Sequence, residues 1–258
     1  MEYSAITLVT RNDVAVLTLN RPDVMNALNT QMRAEITHAV NAVQTEARVL
    51  VITGAGKAFC SGQDLGDGGS AASLDLERTL RDEYVPMLRA IIDSKIPTIS
   101  AVNGPAAGAG ANLALAADVV MASYDAYFVQ AFTRIGLIPD AGGTWFLPRQ
   151  VGLARAMGAA LFADKVTAIQ AADWGMIYET APAEEFTAHW QARAAQLAAG
   201  PTQTYTYVKE AMRASFDNDM AGQLTLEAKL QGKCGQTRDF QEGVVAFLEK
   251  RPAKFEGR

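Results

Sequence analysis

Hydrophobic and polar positions divide the first half of the chain into short apolar runs and longer amphipathic patterns. Alternation predicts a β-hairpin near the start, and uninterrupted apolar runs further on predict buried strands. Helical periodicity fills the intervals, and Asn29 or Thr30 caps the first predicted helix. Strands that alternate with helices are typical of parallel βαβ units and predict an α/β fold. The predicted strands span residues 5–10, 14–19, 49–53, 97–102, 119–122 and 127–129, and the predicted helices 28–44, 74–94 and 112–117.

From residue 144 onward the pattern is almost entirely helical, whereas residues 66–73 are typical of a surface loop. A helical tail on an α/β core often makes subunit contacts, so we expect an oligomer. We place the core in residues 1–195 and a C-terminal helical oligomerisation region in residues 196–258. The predicted helices of this half span residues 144–150, 153–161, 168–174, 184–199, 202–214, 217–231 and 239–250.

Composition narrows the function classes. Of the 258 residues 49% are hydrophobic, and the net charge is −5 with no basic block, so we expect neither nucleic acid nor an anionic membrane as partner. No signal-peptide pattern and no window near ~18 apolar residues appear, so we expect a cytoplasmic chain without a membrane span. Cys60 and Cys234 form no CxxC pair, and His38 and His189 lie in helical contexts, so we expect no metal site.

Two nucleotide-binding motifs fail on spacing. The segment TGAGK has Val51 where a Walker A motif needs glycine and Ala58 where it needs serine or threonine. A dinucleotide fingerprint would require glycine at Leu113 or at Phe59. We therefore expect no nicotinamide cofactor.

Small side chains run through a strand-to-helix turn at residues 101–112, AVNGPAAGAGAN. Small residues let a ligand approach the main chain, and the first N–H groups of a helix can hold negative charge on an oxygen. The same residues could instead serve only to pack helix and strand tightly. Two more glycine-containing turns, at residues 58–65 and 135–144, border strand candidates, and such turns meet at the carboxyl ends of parallel strands.

Asp140 is the acidic residue of the third turn. Its apolar neighbours Leu137, Ile138, Trp145 and Phe146 predict a raised pKa, which suits proton transfer near neutral pH. The alternative role for Asp140 is to cap the helix that follows.

Several motifs resemble the crotonase, or enoyl-CoA hydratase/isomerase, superfamily over essentially the whole chain. Within it, residues 62–65 and 136–149 resemble the ring-1,2-epoxyphenylacetyl-CoA isomerases. The resemblance implies a crotonase-like spiral of ββα units with a C-terminal helical trimerisation region, assembled as a homotrimer or a dimer of trimers. The motifs are NRP at 20–22, NAL at 26–28, AFCSGQDL at 58–65, AVNG at 101–104, GLIPDAGGT at 136–144 and FLEKR at 247–251.

The resemblance also implies an acyl-CoA thioester as substrate, with coenzyme A part of that substrate and no separate cofactor. It assigns the two N–H groups of an oxyanion hole to Gln63 and to Ala109, which stands where the family usually has glycine. Asp140 matches the catalytic aspartate of the family's isomerases and dehalogenases. The implied substrate contacts are Val24, Ala27, Ala58, Gly62, Asp64, Leu65, Asn112, Phe132 and, from a neighbouring subunit, Lys250.

Two departures from the family pattern bear on the reaction. Hydratases of the family use two glutamates to bring in and activate water, and Asn112 and Phe132 occupy those positions. Neither side chain is a general base, so we expect an isomerase in which Asp140 helps to shift a double bond or to open a ring epoxide. Phe132 with Tyr127 and Trp145 would line an apolar acyl pocket, and the alternative for each of the three alone is an ordinary place in the hydrophobic core. A hydratase or another crotonase-type reaction, and a non-catalytic acyl-CoA-binding protein, are the alternatives.

Overall fold

The structure, a computed structural model, describes residues 2–66 and 75–258. Its strands are β1 (Ile6–Arg11), β2 (Val14–Leu19), β3 (Val49–Gly54), β4 (Thr98–Val102), β5 (Ala106–Ala107), β6 (Val119–Ser123), β7 (Tyr127–Val129), β8 (Val166–Thr167) and β9 (Glu179–Ala181). Its helices are α1 (Thr30–Val43), α2 (Leu76–Thr79), α3 (Val85–Ile92), α4 (Ala109–Leu115), α5 (Gly143–Phe162), α6 (Ala168–Asp173), α7 (Ala183–Ala198), α8 (Thr202–Ala214), α9 (Met220–Cys234) and α10 (Arg238–Glu249).

The main sheet has the strand order β1-β2-β3-β4-β6-β9, and β5, β7 and β8 form a smaller sheet. The predicted hairpin is confirmed, because β1 and β2 pair antiparallel around a turn in which Asn12 and Asp13 have positive φ. All other pairs of the main sheet are parallel. The predicted parallel α/β architecture is therefore confirmed.

Strand β3 explains why the central strands are continuously apolar. Successive side chains point to opposite faces of a sheet. Leu50 and Ile52 belong to the core that includes Ile36 of α1, whereas Val49 and Val51 belong to the core formed with α7. Because helices cover both faces, both sets of side chains are buried and no polar alternation remains.

Helix α1 begins at Asn29, whose side chain accepts a hydrogen bond from the Met32 N–H at 2.9 Å. Of the two predicted N-caps, Asn29 and Thr30, the structure confirms Asn29. Two charged residues, Arg33 and Glu35, lie on the buried face of this helix. Glu35 accepts hydrogen bonds from main-chain N–H groups at the start of β1, which fixes the helix against the hairpin.

The helical run before β4 is confirmed from Leu76 to Ile92, where a π-helical turn over Leu80–Tyr84 joins α2 to α3. The surface loop predicted for residues 66–73 and the helix start predicted at residue 74 lie outside the described residues, except for Gly66. None of the helices in the described part of the chain combines the length and the hydrophobicity that a membrane span needs.

The second half is helical as predicted, with two exceptions. Strands β8 and β9 were not predicted, because two or three residues are too few to show a period. Strand β9 is recognisable only through its pairing with β6. Gly152, at φ 76°, separates two halves of α5, which match the two helical segments predicted there.

Helix α8 is joined to the sheet by partly buried ion pairs. Lys209 and Arg213 of α8 both pair with Asp118, with N···O distances of 2.7 and 2.6 Å. The domain boundary predicted at residue 195 falls within α7, whose Phe186 and Trp190 pack on the sheet. That boundary stays a prediction.

Candidate active site

The turns that follow β3 and β4 are joined through their main chains. The Cys60 N–H donates to the Pro105 carbonyl at 3.2 Å, and the Ala107 N–H donates to the Cys60 carbonyl at 2.9 Å. Gly62 then lies against the start of α4, where a Cβ would stand 2.8 Å from the Ala107 oxygen and 3.4 Å from the Ala109 nitrogen. Only glycine permits this approach at its φ of +96°.

Gln63 and Ala109 each present a main-chain N–H at this junction. In a short parallel bridge, the Leu28 N–H donates to the Gly62 carbonyl at 2.8 Å and the Asp64 N–H donates to the Leu28 carbonyl at 3.1 Å. The N–H of Gln63 therefore points away from this bridge. Ala109 is the first residue of α4, so its N–H has no acceptor inside the helix. Within the described residues neither N–H makes a main-chain hydrogen bond.

A cavity of about 300 Å³ lies beside these two residues, and its wall is mostly apolar. Among the described residues, Asp140 is the only carboxylate of this wall and Arg134 its only cation. Leu65 and Phe132, both predicted as substrate contacts, lie in the wall. The apolar lining is completed by Leu76, Leu80, Tyr84, Ile135 and Leu137.

Asp140 is half-buried, and its Oδ1 is buried without a hydrogen-bond partner in the part of the chain that the structure describes. Burial raises the pKa of Asp140 to about 6, because removal of water disfavours the charged carboxylate. The alternative role as a helix cap is wrong, since α5 is preceded by Gly142 and has no side-chain cap. Asp140 is therefore a candidate acid–base group.

Asn112 lies on α4, and its predicted contact with the substrate stays a prediction. This residue is fully buried on α4 and does not line the cavity. Its Nδ2 donates to the main-chain oxygen of Asp140 at 2.7 Å, and its Oδ1 accepts from Gln130 at 2.9 Å. Because both ends of the amide bind protein groups, Asn112 supports the cavity from behind.

Two predicted pocket aromatics also lie elsewhere. Of the three, Phe132 alone lines the cavity as far as the described residues show. The Tyr127 ring packs under the Lys165 ammonium, 4.2 Å from its centroid, and Trp145 packs under Arg149 at 4.3 Å. Trp145 is on the outer face of α5 and is 45% exposed. An apolar stretch of sequence therefore does not show that this side chain is buried.

The side chain of Gln63 is held by a buried network that sequence reasoning missed. Its Oε1 accepts hydrogen bonds from the Tyr84 hydroxyl at 2.5 Å and from Arg33 at 3.0 Å. Arg33 is 2% exposed and pairs with Glu83 at 2.6 Å. One signal was available, because Arg33 shares the apolar stripe of α1 with Ile36, and a buried cation needs an anionic partner.

The other predicted contacts near the start of the chain lie on two adjoining loops. Val24 and Ala27 follow β2, and Ala58 follows β3. The buried side chain of Asn26 donates to the carbonyl oxygens of Ala55 and Ala58, both at 2.9 Å, and so draws the loops together. Whether these residues contact coenzyme A stays a prediction.

Asp64 and Lys250 lie outside the cavity wall. Asp64 pairs with Arg21 at 2.7 Å, and this hydrogen bond lowers the pKa of the Asp64 carboxyl. A second bond, from the Gly66 N–H at 3.0 Å, shows that Asp64 orders the turn after Gln63. Lys250 ends α10 and is exposed, and its contact with a neighbouring subunit's substrate stays a prediction.

Comparison with known proteins decides the family. Residues 9–258 match the sequence model of the family described as Enoyl-CoA hydratase/isomerase. The chain belongs to the enoyl-CoA hydratase/isomerase family. The predicted superfamily is thereby confirmed.

Relatives of this family member carry different activities in their names. A protein of Rhodobacter capsulatus named probable enoyl-CoA hydratase is 59% identical over 258 residues, the whole of both chains. The 1,2-epoxyphenylacetyl-CoA isomerase of Escherichia coli is 43% identical, with 95% of each chain covered. The crystal structure of a putative enoyl-CoA hydratase/isomerase from Mycobacterium abscessus matches with a TM-score of 0.93 at 36% identity, covering 98% of this chain and 100% of that one. The predicted crotonase-like fold with C-terminal helices is confirmed.

Proposed function

We propose that this enoyl-CoA hydratase/isomerase family member is an acyl-CoA isomerase, in which Asp140 carries a proton along the acyl chain. The main support is the state of Asp140, a half-buried carboxylate whose Oδ1 is buried without a partner among the described residues and whose pKa is raised to about 6. The two positions that hydratases fill with glutamate offer an amide bound to main chain, Asn112, and a phenyl ring, Phe132. Addition of water needs acid–base groups for the attacking water, and these two side chains supply none.

In the proposed reaction the thioester oxygen accepts hydrogen bonds from the N–H groups of Gln63 and Ala109. The Asp140 carboxylate takes a proton from Cα, and the electron pair of that C–H bond forms a dienolate whose charge rests on the thioester oxygen. The Asp140 carboxyl then returns the proton to Cγ, so the double bond moves from Cβ–Cγ to Cα–Cβ. Each N–H donor contributes on the order of 2.7–4 kcal/mol to lowering the barrier.

The apolar wall with Phe132 suits an unsaturated or aromatic acyl group. The name of the E. coli relative supports a ring epoxide as one such group. In that case the Asp140 carboxyl assists opening of the epoxide toward an oxepin. Proton transfer of either kind needs no cofactor, because coenzyme A belongs to the substrate.

The substitution Asp140→Asn tests the proposal. Turnover of a 3-enoyl-CoA falls by at least ~100-fold, since a carboxamide cannot act as the base, while the acyl-CoA still binds. Asp125→Asn, which neutralises an exposed aspartate on the loop before β7, is the matched control and keeps wild-type turnover. Unchanged turnover in Asp140→Asn would overturn the assignment of the base.

Hydration is the second candidate, favoured by the name of the Rhodobacter capsulatus relative. An assay of crotonyl-CoA hydration beside 3-enoyl-CoA isomerisation separates the two. The isomerase proposal predicts that isomerisation is much faster. Robust hydration with Asn112 and Phe132 in place would favour the hydratase and contradict the proposal.

We also propose that the chain works in the cytoplasm as a homotrimer or a dimer of trimers, joined through its C-terminal helices. The support is the set of large apolar side chains that these helices expose in the single chain, among them Met212, Met220, Phe247 and Leu248. Light scattering on the purified protein measures the mass of the particle. A monomer at micromolar concentration would contradict the trimer.

A further inference from the structure

Asn112 is wholly buried, yet its side chain reaches the main chain of the loop that carries Asp140. The distance from Asn112 Nδ2 to the Asp140 carbonyl oxygen is 2.7 Å. The amide also lies against Gly143, where a Cβ would approach Nδ2 to 2.4 Å. A side chain enclosed this closely has little freedom to rotate.

The chemistry of the partners fixes which way the amide points. A carbonyl oxygen only accepts hydrogen bonds, so the atom that faces the Asp140 carbonyl is the NH₂ group. The amide oxygen of Asn112 then faces Gln130, whose Nε2 donates to it at 2.9 Å. Gln130 is 3% exposed, so a continuous buried chain of bonds runs from Gln130 through Asn112 to the main chain at residue 140.

This chain of bonds joins the two halves of the proposed site. Asn112 lies three residues after Ala109 on α4, so less than one helical turn separates it from the proposed oxyanion donor. Directly after Asp140, Ala141 has a φ of 47°, a conformation that residues with a side chain seldom adopt. Such a backbone persists only where surrounding contacts impose it. Among the described residues, Asn112 provides the side-chain bond to this carbonyl.

We propose that Asn112 is a positioning residue for Asp140. The buried amide of Asn112 is oriented by Gln130 and fixes the Asp140 carboxylate relative to the Ala109 N–H. This inference rests on the proposed function. An ionised carboxylate at position 112 would face the Asp140 carbonyl as one acceptor facing another. An ionised glutamate at this position would therefore be unable to donate the hydrogen bond that Asn112 donates.

Two substitutions remove this hydrogen-bonded support of the Asp140 loop at different points. Asn112→Ala removes it, and Gln130→Leu removes only its orienting partner. Because a misplacement of about 1 Å can cost about 10²-fold, we expect kcat on a 3-enoyl-CoA to fall about 100-fold in Asn112→Ala and about tenfold in Gln130→Leu. KM stays within about threefold of wild type, because the cavity wall and both N–H donors remain. If Asn112→Ala does not fold, Gln130→Leu carries the same comparison of kcat with KM.

Thr98→Val is the matched control, since it removes two 2.9 Å hydrogen bonds at the opposite end of β4, one that the Thr98 hydroxyl donates to the Asp118 carboxylate and one that it accepts from the Asp118 N–H. It is expected to lower stability and to leave kcat unchanged. A fall in kcat of the same size in this control would assign the Asn112 effect to general destabilisation and overturn the inference.

Measuring the effect of Asn112→Ala on kcat in a variant that already carries Asp140→Asn tests this inference separately from the proposed function. If Asn112 acts through Asp140, adding Asn112→Ala to Asp140→Asn lowers kcat by no more than about twofold further. A fully additive loss, or unchanged kcat in Asn112→Ala alone, overturns the positioning role and leaves Asp140 as the base. Unchanged kcat in Asp140→Asn alone overturns the proposed function instead.

Discussion

The two sides of the cavity differ in whether their charged groups are paired. Behind Gln63, the buried cation of Arg33 is neutralised by Glu83 and every nitrogen of its guanidinium donates a hydrogen bond. On the other side, Asp140 keeps an oxygen without a partner among the described residues. Paired charges surround the residue that carries one main-chain donor, whereas burial without a charged partner raises the pKa of the Asp140 carboxyl to about 6. The comparison separates residues that stabilise the fold from a carboxylate that costs stability, as the proposed acid–base role requires.

The largest effect is expected on the paired side. Arg33→Leu leaves Glu83 without its buried partner, so the free energy of unfolding falls by about 3–5 kcal/mol in urea denaturation. Arg81→Leu is the matched control, because this arginine is exposed beside the same helical run and its loss changes the midpoint little. Equal losses in the two variants would show that the network around Gln63 does not stabilise this wall.

The next effect concerns the N–H donor of Ala109. Ala109→Pro removes this N–H at the first position of α4, where proline is tolerated in helices. We expect kcat to fall by about 10²–10³-fold, as for the loss of one oxyanion donor. Ala109→Gly keeps the N–H and serves as control, with kcat near wild type. A proline variant as active as the glycine variant would exclude Ala109 from the oxyanion hole.

The smallest expected effect is a gain in the free energy of unfolding in Asp140→Asn. Burial raises the pKa of Asp140 from 3.8 to about 6 on folding, so the folded chain holds the proton more tightly. The cost in folding free energy therefore grows as the pH rises from 3.8 to about 6 and is fully present above pH 6. Asp140→Asn therefore raises the free energy of unfolding by about 1–2 kcal/mol at about pH 8, a value reduced for the partial exposure of the carboxyl.

This gain disappears as the pH falls to about 3, where both states of the chain are protonated. Urea denaturation of wild type and Asp140→Asn at the two pH values measures it. A loss of stability in Asp140→Asn at pH 8 would mean that the carboxylate is paired in solution, and the contrast between the two walls would fail.

Much of the fold could be predicted because most helices and strands are long enough to show a hydrophobic period. Helix α8 has the predicted bounds, 202–214, and β3 differs from its prediction by one residue. Helix α4 begins three residues before its predicted start, since the glycines and alanines of residues 108–111 carry no hydrophobic period. Strand β9 depends on pairing with a distant strand, which one local window does not contain.

The site was predictable only where a motif is local. Asp140, Gln63 and Ala109 lie in short motifs, and the structure places all three at one cavity. The network behind Gln63 joins Arg33 to a residue 50 positions later, so no motif contains both partners. The motif position of Asn112 predicts a contact with the substrate, whereas its observed hydrogen bond joins it to a loop 28 residues away.

The most direct test of the central claim, that the single carboxyl of Asp140 moves the proton, uses a 3-enoyl-CoA labelled with deuterium at Cα. The wild-type enzyme converts it in ordinary water, and mass spectrometry locates the label in the first product formed. If one carboxyl both removes and returns the proton, part of the deuterium appears at Cγ of the product. A product whose Cγ carries no deuterium at any stage of the reaction would contradict the account.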